Sequence, residues 1–214
     1  MKKILPILVI VIFALSGFGA NATQFRNIET AINWEETGTL GGLRDDELDQ
    51  YQLDMDLAVP IGRWPLNPEI NYMVAQAFTP TKNLLTRVEL LTGKNTTAIN
   101  DFVLAIKDDL DGIDLTSISL SPDNFPTENF SWLEFDFDDI AVTPGLIYYI
   151  VGYTESAPDN YYAWAFKNSN AYPNGTAFVS EDEGMIWIEE TDADMAFKTY
   201  GGDNLPPETP VIDG

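Results

Sequence analysis

Between Tyr51 and Leu57 apolar side chains fall on every second residue: Tyr51, Leu53, Met55 and Leu57 alternate with Gln52, Asp54 and Asp56. A spacing of two is that of a strand with one face buried and one face wet. The same texture returns in short runs at 73–78, 84–91, 102–107, 117–120, 130–137, 146–154, 161–166, 176–179, 185–188 and 196–200. Turn-forming residues separate them. Pro60, Gly62, Pro65 and Pro68 predict a loop, as do Gly93-Lys94-Asn95, Pro122-Asp123-Asn124, Pro144-Gly145 and Pro158-Asp159-Asn160. No stretch keeps a sustained apolar stripe at helical spacing. Many short strands without helices between them predict an all-β chain, an antiparallel sandwich or barrel.

The chain has 214 residues, with 34 acidic against 11 basic side chains, a formal charge of -23, and neither histidine nor cysteine. A surface that negative repels phosphate backbones and anionic lipid headgroups, so nucleic acid and direct membrane binding are not expected. Disulfides, thiol chemistry and cysteine-bound zinc are excluded, and the commonest general base is missing. No cofactor is expected, although oxygen-rich loops remain compatible with a structural calcium ion.

Both ends differ from the middle. Lys2 and Lys3, the apolar run 4–15 and the closing Ala20-Asn21-Ala22 have the layout of a secretory signal peptide at 1–22, leaving a mature chain from Thr23. The apolar run is shorter than the about 20 residues of a membrane span, which favours cleavage over a retained anchor. Residues 23–48 read as an N-terminal arm, with a short helical turn about Arg44-Asp45-Asp46-Glu47-Leu48. The sandwich is expected over 49–201, followed at 202–214 by a proline-rich linker to a further domain. On an exported chain, Asn95, Asn129 and Asn174 head Asn-X-Ser/Thr sequons and are candidate glycosylation sites.

The densest aromatic run is Tyr161-Tyr162-Ala163-Trp164-Ala165-Phe166, with Tyr172 nearby. Flat aromatics stack on sugar rings, so Tyr161, Trp164 and Tyr172 are candidate ligand-binding residues. Core filling competes strongly for the face of Tyr162, Trp164 and Phe166, leaving Tyr161 and Tyr172 as the expected exposed members. Glu134 and Asp136 share a strand face and could serve a glycosidase as paired carboxylates, but chance acidic pairs abound in so acidic a chain. Asp108-Asp109-Leu110-Asp111-Gly112-Ile113-Asp114 invites a calcium reading without the EF-hand pattern, as do Asp138-Asp139 and Asp159-Asn160. Ser180-Glu181-Asp182-Glu183-Gly184-Met185-Ile186-Trp187 fits S-x-D-x-G-x-x-W, which resembles the Asp-box of sialidases and other β-proteins. Its mechanics predict a structural hairpin: Ser and Asp side chains bonding turn backbone, a left-handed glycine, and a tryptophan packed beneath. A sialidase would need an arginine cluster, whereas Arg26, Arg44, Arg63 and Arg87 are scattered.

Several stretches resemble a β-sandwich module of secreted and surface proteins of archaea and bacteria. They are Ala75-Gln76-Ala77-Phe78-Thr79-Pro80 with Leu85-Thr86-Arg87-Val88-Glu89-Leu90, Ser131-Trp132-Leu133-Glu134-Phe135-Asp136-Phe137, Val142-Thr143-Pro144-Gly145 with Tyr148-Tyr149-Ile150-Val151, and Ala196-Phe197-Lys198-Thr199-Tyr200-Gly201. The resemblance implies a jelly-roll sandwich related in architecture to carbohydrate-binding and adhesion domains, and the closing Pro-Pro-Glu-Thr-Pro-Val-Ile-Asp-Gly resembles the start of an immunoglobulin-like or PKD-type repeat. The function expected from these features is a non-catalytic module, secreted or on the cell surface, that binds a glycan or another surface protein. A ligand-free spacer or surface-layer module is the alternative, and a carboxylate-dependent glycoside hydrolase ranks last.

Overall fold

A computed structural model describes residues 46–127 and 129–203. The expected signal peptide, nearly all of the N-terminal arm and the proline-rich tail lie outside the described residues. Thirteen strands account for the rest: β1 Glu47–Gln52, β2 Leu57–Arg63, β3 Asn71–Phe78, β4 Leu84–Lys94, β5 Phe102–Lys107, β6 Thr116–Leu120, β7 Ser131–Ala141, β8 Tyr148–Thr154, β9 Tyr161–Lys167, β10 Ala177–Ser180, β11 Ile188–Glu190, β12 Asp194–Met195 and β13 Phe197–Gly202. Among the described residues the only helical element is a short 3-10 turn, Pro122–Asn124.

The strands form one continuous antiparallel sheet folded into two layers. In the first layer β4 is the spine. Strand β7 lies along one side; on the other, β13 pairs with residues up to Leu90 and β9 with Thr92–Lys94. β1 lies beyond β13, β2 beyond β9, and β12 pairs antiparallel with the end of β9. The second layer runs β11–β10–β3–β8–β5–β6. The layers meet where Gly62 and Arg63 of β2 pair with Tyr72 and Asn71 of β3. Going along the sequence, the chain crosses between layers repeatedly, which is the wiring of a jelly roll.

Alternation explains the core. Ile61, Val88, Leu90, Phe135, Tyr162, Trp164 and Phe197 point inward from the first layer, and Val74, Phe78, Phe102, Leu104, Ile106, Tyr148 and Ile150 from the second, joining one buried cluster. Tyr162 couples the layers: its ring meets Phe102 edge-on at 5.3 Å and Phe125 at 4.6 Å.

Three local expectations fail for identifiable reasons. Pro60 and Gly62 lie inside β2 rather than in a loop. β2 pairs with β9 from Leu57 to Gly62 but with β3 only at Gly62 and Arg63, so Pro60 sits where one side of the strand carries no ladder. Gly93 and Lys94 extend β4 instead of forming a turn, because β9 supplies new partners there. In β1 the apolar alternation is inverted: Gln50 and Gln52 are buried while Leu48, Tyr51 and Leu53 are exposed. Glu47 and Leu48, expected in an arm with a helical turn, already belong to this strand.

The glutamines face inward because a buried polar cluster needs them. Asp194 is buried, and its carboxylate accepts the N–H groups of Ala171 and Tyr172, each at 2.8 Å, and Gln76 Nε2 at 3.1 Å. Burial pushes this carboxyl above its ordinary range; the N–H of Tyr172, the Gln76 amide and the N–H of Ala171 pull it back. Gln76 Oε1 accepts Met195 N, Gln52 Nε2 donates to the Asp194 carbonyl, and Tyr172 Oη donates to Gln50 Oε1 at 2.8 Å. An edge strand thereby turns its polar side in, since the polar groups beneath would otherwise be orphaned.

Two measurements test these contacts. Gly62 has φ of +97°, and a Cβ there would stand 2.3 Å from the Asn160 carbonyl oxygen. Gly62→Ala is therefore expected to cost about 2–4 kcal/mol in denaturant unfolding, the combined penalty of backbone strain and overpacking. Burial also raises the Tyr172 and Tyr200 phenols from 10.0 to about 12, and Tyr162 further. The native state holds these phenols protonated after the unfolded chain would ionise them. Their contribution is thus intact below pH 10 and is lost as pH rises from about 10 to about 12, which denaturation midpoints measured alongside phenolate absorbance will report.

Candidate functional site

The outer faces of the two layers differ in kind. On the first, charged and aromatic side chains from β4, β7 and β13 form a closed ladder. Lys198 Nζ lies 2.6 Å from Glu89 Oε2 and 4.1 Å from the centre of the Trp132 ring. Tyr200 Oη donates to Glu89 Oε1 at 2.9 Å, and the Arg87 guanidinium sits 3.5 Å above the Tyr200 ring. Arg87 also pairs with Asp46 at 3.4 Å and with Glu134 at 3.2 Å. Cations, carboxylates and π faces are matched within the ladder.

On the outer face of the second layer, register sets Ala75 of β3 opposite Val151 of β8, and Val151 opposite Ala105 of β5. These three small side chains form a fully buried floor. Met73, Tyr149, Tyr153, Phe178, Leu110 and Trp187 pack around it and remain partly exposed. Tyr149 and Phe178 meet edge-on at 5.8 Å. Burial raises the phenols of both tyrosines, with further pushes from Asp109 and Glu189 on Tyr149 and from Asp114 on Tyr153. Both hydroxyls therefore stay protonated at neutral pH and can donate a hydrogen bond.

Two turns border this face, and sequence chemistry builds each. In the 180–187 turn, Ser180 Oγ accepts Gly184 N at 2.8 Å and donates to Asp182 Oδ1 at 2.9 Å; Asp182 Oδ1 also accepts Ile186 N at 2.8 Å. Gly184 is left-handed at φ +87°, and Trp187 packs onto the sheet. The S-x-D-x-G-x-x-W hairpin thus has the expected internal mechanics, with β11 starting only at Ile188 because this turn takes up 185–187. In the 108–115 turn, Lys107 Nζ donates to the Gly112 carbonyl at 2.7 Å and pairs with Asp114 at 3.3 Å. The ammonium of Lys107 is itself the cation of this acidic turn. Among the described residues no group of three or more acidic side chains converges on a metal position.

The sequence candidates fare differently. Tyr161, Trp164 and Tyr172 are 8%, 0% and 6% exposed, so none offers a stacking surface, and the expectation that Tyr161 and Tyr172 are exposed is overturned. Trp164 is core, with Nε1 donating to the Ala196 carbonyl at 2.9 Å. Tyr172 belongs to the polar cluster around Asp194 and packs edge-on against Phe197 at 5.2 Å. β9 is covered on both sides: Tyr161, Ala163 and Ala165 on one face are buried like Tyr162 and Trp164 on the other. Glu134 and Asp136 do share the exposed face of β7, opposite Phe135 and Phe137, and Glu134 is engaged by Arg87. Asn160 is a buried pin: its Oδ1 accepts Ile99 and Asn100 N–H, and its Nδ2 donates to Thr154 Oγ1 and the Glu155 carbonyl. Of the sequon asparagines, Asn129 and Asn174 are exposed, whereas Asn95 is half-buried and donates from Nδ2 to Thr97 Oγ1 and the Asp159 carbonyl.

Tyr149, Tyr153 and Phe178 carry no motif. Their signal is that 146–153 is apolar on both alternating faces, a pattern of strands covered on two sides. No protein-family model matches this chain, and no curated protein matches it in sequence.

Proposed function

We propose that the chain is a non-catalytic, extracellular surface module that adheres to a partner through the outer face of its second layer, built from Met73, Tyr149, Tyr153, Phe178 and Trp187. The observation that carries this reading is the contrast between the two outer faces. Sandwich strands ordinarily turn polar residues to solvent, as β7 does, yet β8 turns Tyr149, Val151 and Tyr153 outward. Contiguous exposed apolar patches mark interaction surfaces, and aromatic residues are enriched at them. A secreted location follows from the signal-like leader and from the resemblance to surface modules. Both belong to this proposal.

A ligand-free spacer is the second reading, and it leaves the aromatic outer face of the second layer without a role. A glycosidase reading has little support, because Glu134 is spent on Arg87 within the ladder.

The test is binding of the purified chain to arrays of cell-surface glycans and of surface proteins. Tyr149→Ala plus Tyr153→Ala is expected to weaken whichever signal appears by about tenfold or more, the loss of two stacking contacts. Trp132→Ala, on the opposite outer face, should leave it unchanged. Binding that ignores the tyrosine pair, or that follows Trp132, overturns the assignment.

A further inference from the structure

Resting on that reading, we infer that the partner bound by the outer face of the second layer is a cationic polypeptide segment, presenting lysine or arginine side chains to Tyr149, Tyr153 and Phe178. The chemistry is already complete elsewhere in this molecule. On the first layer, Arg87 lies over Tyr200 and Lys198 over Trp132, with Glu134 and Glu89 at 3.2 and 2.6 Å from the same cations. Each arrangement has three parts: an aromatic face, a carboxylate beside it, and a cation held by both.

The second layer carries two of those parts. The aromatic faces are Tyr149, Tyr153 and Phe178. The carboxylates are Asp109, from the turn after β5, and Glu189, the register partner of Phe178 on β11; Asp114 of the same turn is already paired with Lys107. The charges of Asp109 and Glu189 raise the Tyr149 phenol, and that of Asp114 raises Tyr153, in each case after burial. Lys107, the register partner of Tyr149 on β5, is committed to Asp114 and to the Gly112 carbonyl. Among the described residues neither Asp109 nor Glu189 enters an ion pair. The face thus presents acceptors and π electrons, and the missing third part is a positive charge supplied from outside.

Whole-molecule electrostatics act in the same direction. A formal charge of -23 draws cations toward the surface and holds off acidic partners, while a neutral sugar feels no such field. A polypeptide segment suits the face better than a lone cation, since aromatic sites are spread over two strands, β8 and β10, and the turn before β11.

The experiment titrates a deca-lysine peptide into the full chain at about 150 mM salt, where long-range attraction is screened to less than 10 Å. Three variants and a neutral glucan oligosaccharide accompany it. Asp109→Asn plus Glu189→Gln removes the rim, and Tyr149→Ala plus Tyr153→Ala removes the aromatic faces without changing charge. Asp138→Asn plus Asp139→Asn, on exposed β7, matches the first variant in charge. The rim and tyrosine variants should each raise the Kd by about tenfold or more, and the β7 variant by less than about twofold. Equal losses in the rim and β7 variants mean attraction by net charge alone and overturn the inference, as does a wild-type chain that ignores the peptide. Glucan binding that is lost with the tyrosines but unaffected by the rim variant leaves the adhesion face standing and refutes the cationic partner. If no probe responds to the tyrosine variant, the adhesion face itself falls.

Discussion

Burial of Tyr162 and Trp164 between the layers is the contact on which the rest of this fold depends. With no disulfide and a strongly negative chain, cohesion has to come from apolar packing strong enough to outweigh self-repulsion. Tyr162 touches Phe102 of the opposite layer and Phe125 of the turn after β6, and its hydroxyl donates to the Asn100 carbonyl at 2.6 Å. Trp164 ties β9 to the chain just before β13 through the Ala196 carbonyl. Each aromatic pair contributes about 0.5–1.5 kcal/mol beyond its buried area, and the polar tips add no unpaired group.

The cluster around Asp194 does for the periphery what the aromatics do for the centre. A buried carboxylate is costly unless its oxygens are met by donors, and here three N–H groups meet them. Those donors come from distant parts of the chain, so satisfying one acid fastens the 168–176 loop and β3 around β12, with β1 joined through Gln52. Tyr172 is held in the same place for the same reason, which removes it from any role at the surface.

With the interior packed and the charges of one outer face paired, the second outer face stands apart in its composition. Small residues in register at its centre are ringed by large ones. Two acidic turns frame it: one closed by its own lysine, the other by a serine–aspartate hairpin. The adhesion proposed above rests on this composition and on the two turns that frame it.

Local chemistry was legible from the residues alone. The period of two marked most strands, 102–107 to the residue, but missed β2 and β12 and ran β1 on through the break at 53–56, while the hairpin at 180–187 followed from its serine, aspartate, glycine and tryptophan. These are interactions over a few positions, which any chain containing them will form. Which side of a strand meets the core is a different matter. Gln50 and Gln52 face inward because Tyr172 and Asp194, more than a hundred positions later, need partners there. Tyr161 is buried although alternation turns it away from Trp164, since β9 is central and covered on both sides. Tyr149 and Tyr153 lie outward because Tyr148 and Ile150 fill the interior. The order of residues thus determined that this chain forms strands and where they turn; which aromatics reach solvent was decided only when the layers closed, because burial depends on neighbours brought from elsewhere in the sequence.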